Sequence, residues 1–347
     1  MSAGAARLVA ADRATRAAWT GRVDGDAADV RRWHQEVRFV DLATEALTDA
    51  VVAASEAAGG AGALCFVGYA SDEGVRRNLG RTGAAAGPAE LRRRMAPLAA
   101  VEGVALLDAG DVAVDPSAGG DPVADAQRVL ADAVEAIARA GALPVVLGGG
   151  HDQAHGLFLG LAAAIGAAPA CVNFDAHLDL REIPAEGPHS GTPFTQSWEW
   201  CRAREAPFRY CALGVQRAGN TRRLLERAEF AGATVVDADG FALDHVDVVM
   251  DAVNDAVDEG EIALSIDLDV FAAAFAPGVS APSAMGIAPD AAFRRILRGL
   301  LASGRVKGVE IAELNPSLDV DGRTARLGAA LVHEIALACA DAAEDGR

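Results

Sequence analysis

The sequence predicts an α/β fold in which a mainly parallel sheet carries helices on both faces. Three observations lead there. Short runs rich in aliphatic residues recur along the chain, longer helix-like stretches separate them, and Gly, Pro or polar motifs mark the changes. Parallel strands need a long crossover, usually a helix, so this alternation reads as repeated βαβ units.

Taken in order, residues 1–60 read as a polar leader and a helical segment, part of the same domain as the α/β unit predicted over 61–347. The first strand is predicted at 63–68 (Ala-Leu-Cys-Phe-Val-Gly) and the second at 104–107 (Val-Ala-Leu-Leu), with a helix near 88–99 between them. A helix near 121–141 leads to a strand at 144–147 (Pro-Val-Val-Leu), and one near 152–166 leads to a strand at 170–174 (Ala-Cys-Val-Asn-Phe). Strands at 210–214 and 234–236 flank a helix near 219–231. Helices near 244–258 and 288–303 precede strands at 262–266 (Ile-Ala-Leu-Ser-Ile) and 306–311 (Val-Lys-Gly-Val-Glu-Ile), and a last helix occupies 324–342. Sites in such sheets lie beyond the carboxyl ends of the strands. The polar motifs of this chain fall there repeatedly.

Composition narrows the class. The chain has 347 residues, 51% hydrophobic and 23% charged, which suits one large globular α/β domain or two ordinary ones. The formal net charge of −18 disfavours nucleic acid and anionic membranes as partners, and it requires local arginines if the substrate is an anion. Five cysteines, an odd number with no CxxC pair, argue against a disulfide framework and for a reducing, cytoplasmic setting. The N-terminus lacks a continuous apolar segment, so no signal peptide is expected, and no apolar run reaches the length of a membrane span.

Three motifs carry chemistry. In Leu147-Gly148-Gly149-Gly150-His151-Asp152, glycines after a strand permit a sharp turn and close backbone approach, leaving His151 at the sheet edge. In Asn173-Phe174-Asp175-Ala176-His177-Leu178-Asp179, an extended chain would turn Asp175, His177 and Asp179 to one side. In Ser265-Ile266-Asp267-Leu268-Asp269, a third strand ends in two carboxylates. Clustering these acids without a cation costs several kcal/mol in repulsion and desolvation. Four aspartates balance two divalent cations in formal charge. Carboxylate-rich, thiolate-free ligation favours a hard or borderline ion such as Mn²⁺, and a pair of such ions can activate a shared water.

These motifs, in this order and spacing, resemble the ureohydrolase family of arginases, agmatinases and formimidoylglutamases over roughly residues 60–335. The resemblance implies an arginase-like three-layer α/β/α sandwich and two Mn²⁺ ions per subunit. His151 and Asp179 would bind one ion only, His177 and Asp269 only the other, and Asp175 and Asp267 would bridge. Within the family the sequence is most similar to the formimidoylglutamases. That likeness rests on the segment from Asp72 to Gly83 with Gly87-Pro88, on Ser190-Gly191-Thr192-Pro193-Phe194, on Asp269-Val270-Phe271 leading to Ala276-Pro277-Gly278-Val279-Ser280-Ala281-Pro282, and on Ala312-Glu313-Leu314-Asn315-Pro316. Gly150, Ser190, Ala272 and Ala273 depart from the arginase and agmatinase pattern, and these departures speak against guanidine hydrolysis. Asp152 stands where many formimidoylglutamases have Glu.

The implied reaction converts N-formimidoyl-L-glutamate and water to L-glutamate and formamide, a step in histidine degradation. Its small-molecule substrate bears two carboxylates and a cationic amidine. Arg76, Arg77 and Arg81, in a Gly-containing loop, are candidates for the carboxylates, since arginine binds them bidentately and stays charged. Glu313 is the candidate for the amidinium and Asp179 for proton transfer to the leaving amine, with Ser190 and His189 as further substrate contacts. His155, one helical turn after His151, is a candidate supporting group. The competing activities are an agmatinase or guanidinobutyrase and, from another class, a catalytically inactive metal-binding regulatory subunit. The family also implies a possible homo-oligomer.

Overall fold

The computed structural model describes residues 4–43, 46–115 and 117–345. Its centre is a ten-stranded sheet: β1 (Ala6–Val9), β2 (Arg38–Phe39), β3 (Gly62–Ala70), β4 (Val104–Val114), β5 (Leu143–Leu147), β6 (Ala170–Phe174), β7 (Tyr210–Val215), β8 (Thr234–Asp237), β9 (Ile262–Asp267) and β10 (Val306–Ala312). The order is β1-β4-β3-β5-β10-β9-β6-β7-β8, with β2 also pairing β4. Only β1, paired with β4, is antiparallel.

Alternation along the strands explains the layers. Leu264 and Ile266 of β9, Val309 and Ile311 of β10, and Val172 and Phe174 of β6 face one apolar layer. That layer is closed by Leu91 and Met95 of the helix Gly87–Met95, Val253 of Val246–Val257, Ile296 of Ala291–Ala302 and Val332 of Arg323–Asp345. On the other face, Val67 and Val146 meet Leu130 and Val134 of Pro122–Arg139 and Leu157 of Gln153–Ile165. Side chains buried on both faces make a sandwich of helices, sheet and helices.

Every strand predicted from the sequence is present, mostly one to three residues longer; β4 runs seven residues beyond its predicted end. The sequence reading did not identify β1, β2 or the helix Pro193–Arg202. Residues 6–9 and 38–39 of the predicted leader are therefore part of the sheet edge. Residues 1–3, 44 and 45 of that leader, and 116, 346 and 347 of the predicted α/β unit, lie outside the described residues. A buried ion network fastens this region: the Trp19 indole N–H donates to Asp108 at 2.6 Å, and fully buried Arg92 donates to Asp108 at 2.8 Å and to Asp111 at 2.6 Å.

The order of the central strands matters most for function. β5 and β6 are consecutive in sequence, yet β10 and β9 lie between them. From the adjacent strands β9 and β6 the chain leaves in opposite directions, to β10 and to β7, and the crevice so formed is the usual place for a site in an open parallel sheet.

Candidate metal centre

Four adjacent strands deliver the site. His151 follows β5, Asp175 to Asp179 follow β6, Asp267 and Asp269 close β9, and Glu313 follows β10. The glycines before His151 are required by crowding. A Cβ at Gly148 would strike the Ile311 carbonyl, and one at Gly149 the carbonyls of Tyr69 and Ser71. Backbone is packed against backbone here, which only glycine allows.

The six candidate ligands converge. His151 Nδ1 lies 2.9 Å from Asp179 Oδ2, 3.2 Å from Asp175 Oδ2 and 3.2 Å from Asp267 Oδ2. His177 Nδ1 lies 3.1 Å from Asp269 Oδ2 and 3.4 Å from Asp175 Oδ1. Ligand atoms of His151, Asp175 and Asp179 form one group within 4.8 Å, and those of Asp175, His177 and Asp269 form another. Asp175 belongs to both. The local geometry differs from the extended chain expected after β6. The segment bends, the His177 N–H donates to Asp175 Oδ1 at 2.7 Å, and Asp179 has φ of +45°. Asp267 and Asp269 likewise converge through the turn Leu268–Val270, closed by the Asp269 N–H on Asp267 Oδ1.

Electrostatics tests whether cations fit this cluster. Burial, then the neighbouring Asp175 charge, pushes Asp179 and Asp267 above the usual carboxylate range. Burial and the Asp267 charge push Asp269 well above it. Burial would raise Asp175 too, but its bonds to His151 and His177 outweigh that and hold it low. Buried Asp269 Oδ1 has no hydrogen-bond partner. Carboxylates crowded in this way take up protons or cations, and an all-oxygen-and-imidazole donor set suits Mn²⁺-like ions. The residues fit such a pair.

Glu313 is 5% exposed and accepts the His151 backbone N–H at 2.9 Å. Burial first, then the Asp267 charge, raises its pKa well above the usual value. Its φ is +65°, so with Asp179 and Leu79 (φ +61°) three non-glycine residues of this site occupy the left-handed region. Such strain persists only where the surroundings hold it.

Asp152, whose departure from Glu the sequence did not explain, has a structural reason. It fills space left by glycines: a Cβ at Gly150 would lie 2.6 Å from Asp152 Oδ1, and one at Gly74 would overlap it. Tyr69 donates to its other oxygen at 2.5 Å.

A cavity of about 420 Å³ opens onto the ligands, lined also by Asn78, Arg81, Arg181, Ser190 and Glu313. Among the arginines predicted for the substrate, the structure brings Arg81 to this wall, with its guanidinium bonded to the carbonyls of Val279 and Ser280. It does not bring Arg76 or Arg77 there. The predicted loop begins with a helical turn, Glu73–Arg77, whose i, i+3 and i+4 spacing draws both guanidiniums onto Glu73. Arg77 also pairs with Asp121 and faces a neighbouring hollow.

Ser190 lines the cavity and accepts from Asn78 Nδ2 at 3.1 Å. His189 lines the hollow instead; its Nδ1 accepts the Gly191 N–H, and burial, aided by Arg181, lowers its pKa to about 4. His155 is buried away from the ligands, bonded to Ser197 at 3.0 Å and stacked on Phe158.

Sequence reasoning missed Arg181. Its guanidinium has no hydrogen bond or ion pair among the described residues, and it lines both the cavity and the hollow. What the sequence offered was proximity: Arg181 lies two residues after Asp179.

The family model described as the arginase family matches residues 63–338. The chain is 41% identical over 325 residues to the formimidoylglutamase of Ralstonia nicotianae, covering 91% of this chain and 94% of that protein. It is 41% identical over 326 residues to that of Nocardia farcinica, covering 91% and 95%. Among solved structures, a Trypanosoma cruzi formiminoglutamase variant with Mn²⁺ superposes with a TM-score of 0.68 at 25% identity, covering 80% of this chain and 93% of the other.

Proposed function

This chain belongs to the arginase family, and from that premise we propose that its hydrolase chemistry converts N-formimidoyl-L-glutamate and water to L-glutamate and formamide at a dinuclear Mn²⁺ centre. One observation carries the reading. Of the residues lining the cavity, the acids Asp179, Asp267, Asp269 and Glu313 are buried or half-buried, and Arg81 and Arg181 are exposed, so the cavity is acidic in its depth and basic toward solvent. A substrate with a cationic amidine at one end and two carboxylates at the other matches that polarity. Agmatine, cationic at both ends, does not.

His151, Asp175 and Asp179 would hold one ion, and His177, Asp269 and Asp175 the other, with Asp267 shared. When bound, such ions act as Lewis acids and lower the pKa of water, so that hydroxide is available near neutral pH. The protein supplies orientation and proton handling. The Glu313 carboxylate holds the amidinium by charge-assisted hydrogen bonds, presenting the formimidoyl carbon to the ligand cluster. Arg181, unengaged by other side chains, takes a substrate carboxylate, and Arg81 and Ser190 flank it. A new C–O bond forms at the formimidoyl carbon as its bond to the glutamate nitrogen breaks. Asp179, 2.9 Å from His151 Nδ1 and lining the cavity, carries the proton to that leaving nitrogen.

The test is a panel assay of Mn²⁺-loaded protein with formimidoylglutamate, agmatine, arginine and guanidinobutyrate. Formimidoylglutamate should give the highest kcat/KM. A higher value for any guanidine substrate would refute the assignment.

A further inference from the structure

Below the ligands lies a second polar tier. Asn173, Ser265 and Glu310 are register partners on the adjacent strands β6, β9 and β10. Each interrupts an apolar run, each is 3% exposed or less, and all three point to the same face as Asp175 and Asp267, two residues nearer the strand starts.

Glu310 is the anomaly. It is fully buried, and neither carboxylate oxygen has a hydrogen-bond partner. Burying a carboxylate unpaired is costly, so its surroundings must compensate. Tyr69, whose pKa burial and then Asp152 raise with a contribution from Glu310, already spends its hydroxyl on Asp152. The partner that geometry offers is the His151 ring: Nε2 lies 3.5 Å from Glu310 Oε1 and 2.8 Å from Ser265 Oγ. The opposite nitrogen, Nδ1, faces Asp175, Asp179 and Asp267. Phe194 packs edge-on against the ring with centroids 5.7 Å apart.

We propose that Glu310 and Ser265 are positioning residues for His151: they fix its Nε2–H away from the cluster, present Nδ1 to the ion, and make the ring a stronger ligand. This deepens the dinuclear reading and rests on it. A carboxylate behind a ligating imidazole sets its tautomer and raises its basicity, and loss of such a partner weakens metal affinity by about 10–100-fold. The effect is confined to the ion held by His151. Among the described residues neither His177 nor Asp269 bonds to this tier, which reaches their group through Asn173 Nδ2 on shared Asp175.

Metal-free protein is titrated with Mn²⁺, followed by calorimetry and by electron paramagnetic resonance. Glu310→Gln keeps the volume and removes the charge. It should weaken one of the two binding steps by about 10-fold or more and leave the other within about threefold, with KM unchanged at saturating Mn²⁺. Ser265→Ala should weaken the same step. If Glu310→Gln fails to fold, Ser265→Ala decides the question. Wild-type-like binding of both ions by the folded variants overturns the proposal, and a lowered Tm alone identifies Glu310 as structural. Wild-type protein that takes up no ion would sink the metal-centre reading and this proposal with it, whereas failure of the variants alone leaves that reading intact.

Discussion

Replacing Arg181 by Ala tests the specificity argument at its most exposed point. The guanidinium has no hydrogen bond or ion pair among the described residues and stands at the wall of the cavity. Its loss removes no structural bond, so the effect isolates substrate contact. A charged hydrogen bond contributes roughly 1.5–3 kcal/mol, and exposure at the mouth places this one at the lower end, which corresponds to about a tenfold loss of kcat/KM. The rise should appear in KM, with kcat within about twofold and Mn²⁺ content unchanged, because the contact holds the end remote from the breaking bond. Arg181→Lys keeps charge without the planar fork and should recover part of the loss. Arg76→Ala is the control: its side chain is 62% exposed and tied to Glu73, so KM should stay at wild type. Steady-state kinetics at about 0.15 M salt, where distant charges are screened, is the assay. Equal losses in Arg76→Ala and Arg181→Ala would show a diffuse charge effect and refute a specific contact, as would an Arg181→Ala enzyme that saturates normally.

Other expectations follow from the site. Asp267→Asn should abolish turnover, yet raise the Tm of the metal-free protein by about 2 °C or more, because one member of a crowded buried carboxylate group is gone; a lower metal-free Tm would contradict the crowding argument. Glu313→Gln can still accept the His151 N–H but loses its charge, so kcat/KM should fall about tenfold or more with metal content intact, and a change under about twofold would remove Glu313 from substrate contact. Chelation should lower Tm reversibly, since an ion present at about 100 times its Kd stabilises the fold by about 2.7 kcal/mol; calorimetric scans that overlay with and without chelator would exclude a tightly held ion. Gly150→Asp should cost about 1–3 kcal/mol by overpacking against Asp152, and the added change Asp152→Ala should recover part of that, which chemical denaturation can measure.

The candidate ligands were legible because their chemistry admits few substitutes and each group is local in sequence. Asp175, His177 and Asp179 sit two residues apart, and so do Asp267 and Asp269, directly after runs that read as strands. Even so, the local reason differed: a bend and a left-handed Asp179, rather than an extended chain, bring the first three together. The arginines were less legible because orientation depends on partners remote in sequence. Asp121 and the Pro188 carbonyl help hold Arg77 outside the cavity, and nothing near Arg77 in the chain announces them. Edge strands β1 and β2, at four and two residues, carry too little periodicity to read. Glu310 was visible as a polar residue inside an apolar strand, but only strand order places it behind His151.

That order also has a consequence for how the chain is made. β9 and β10, among the last strands to be synthesised, belong in the middle of the sheet, between β5 and β6. Until residue 312 has emerged, the two halves of the nascent sheet each present an unsatisfied edge to the other and to any neighbouring chain. The central pair closes both edges at once, and the same step brings Asp267, Asp269 and Glu313 to the aspartates after β6. Any cation held by these residues would therefore be captured only at the end of folding, and its binding would report that the sheet has closed.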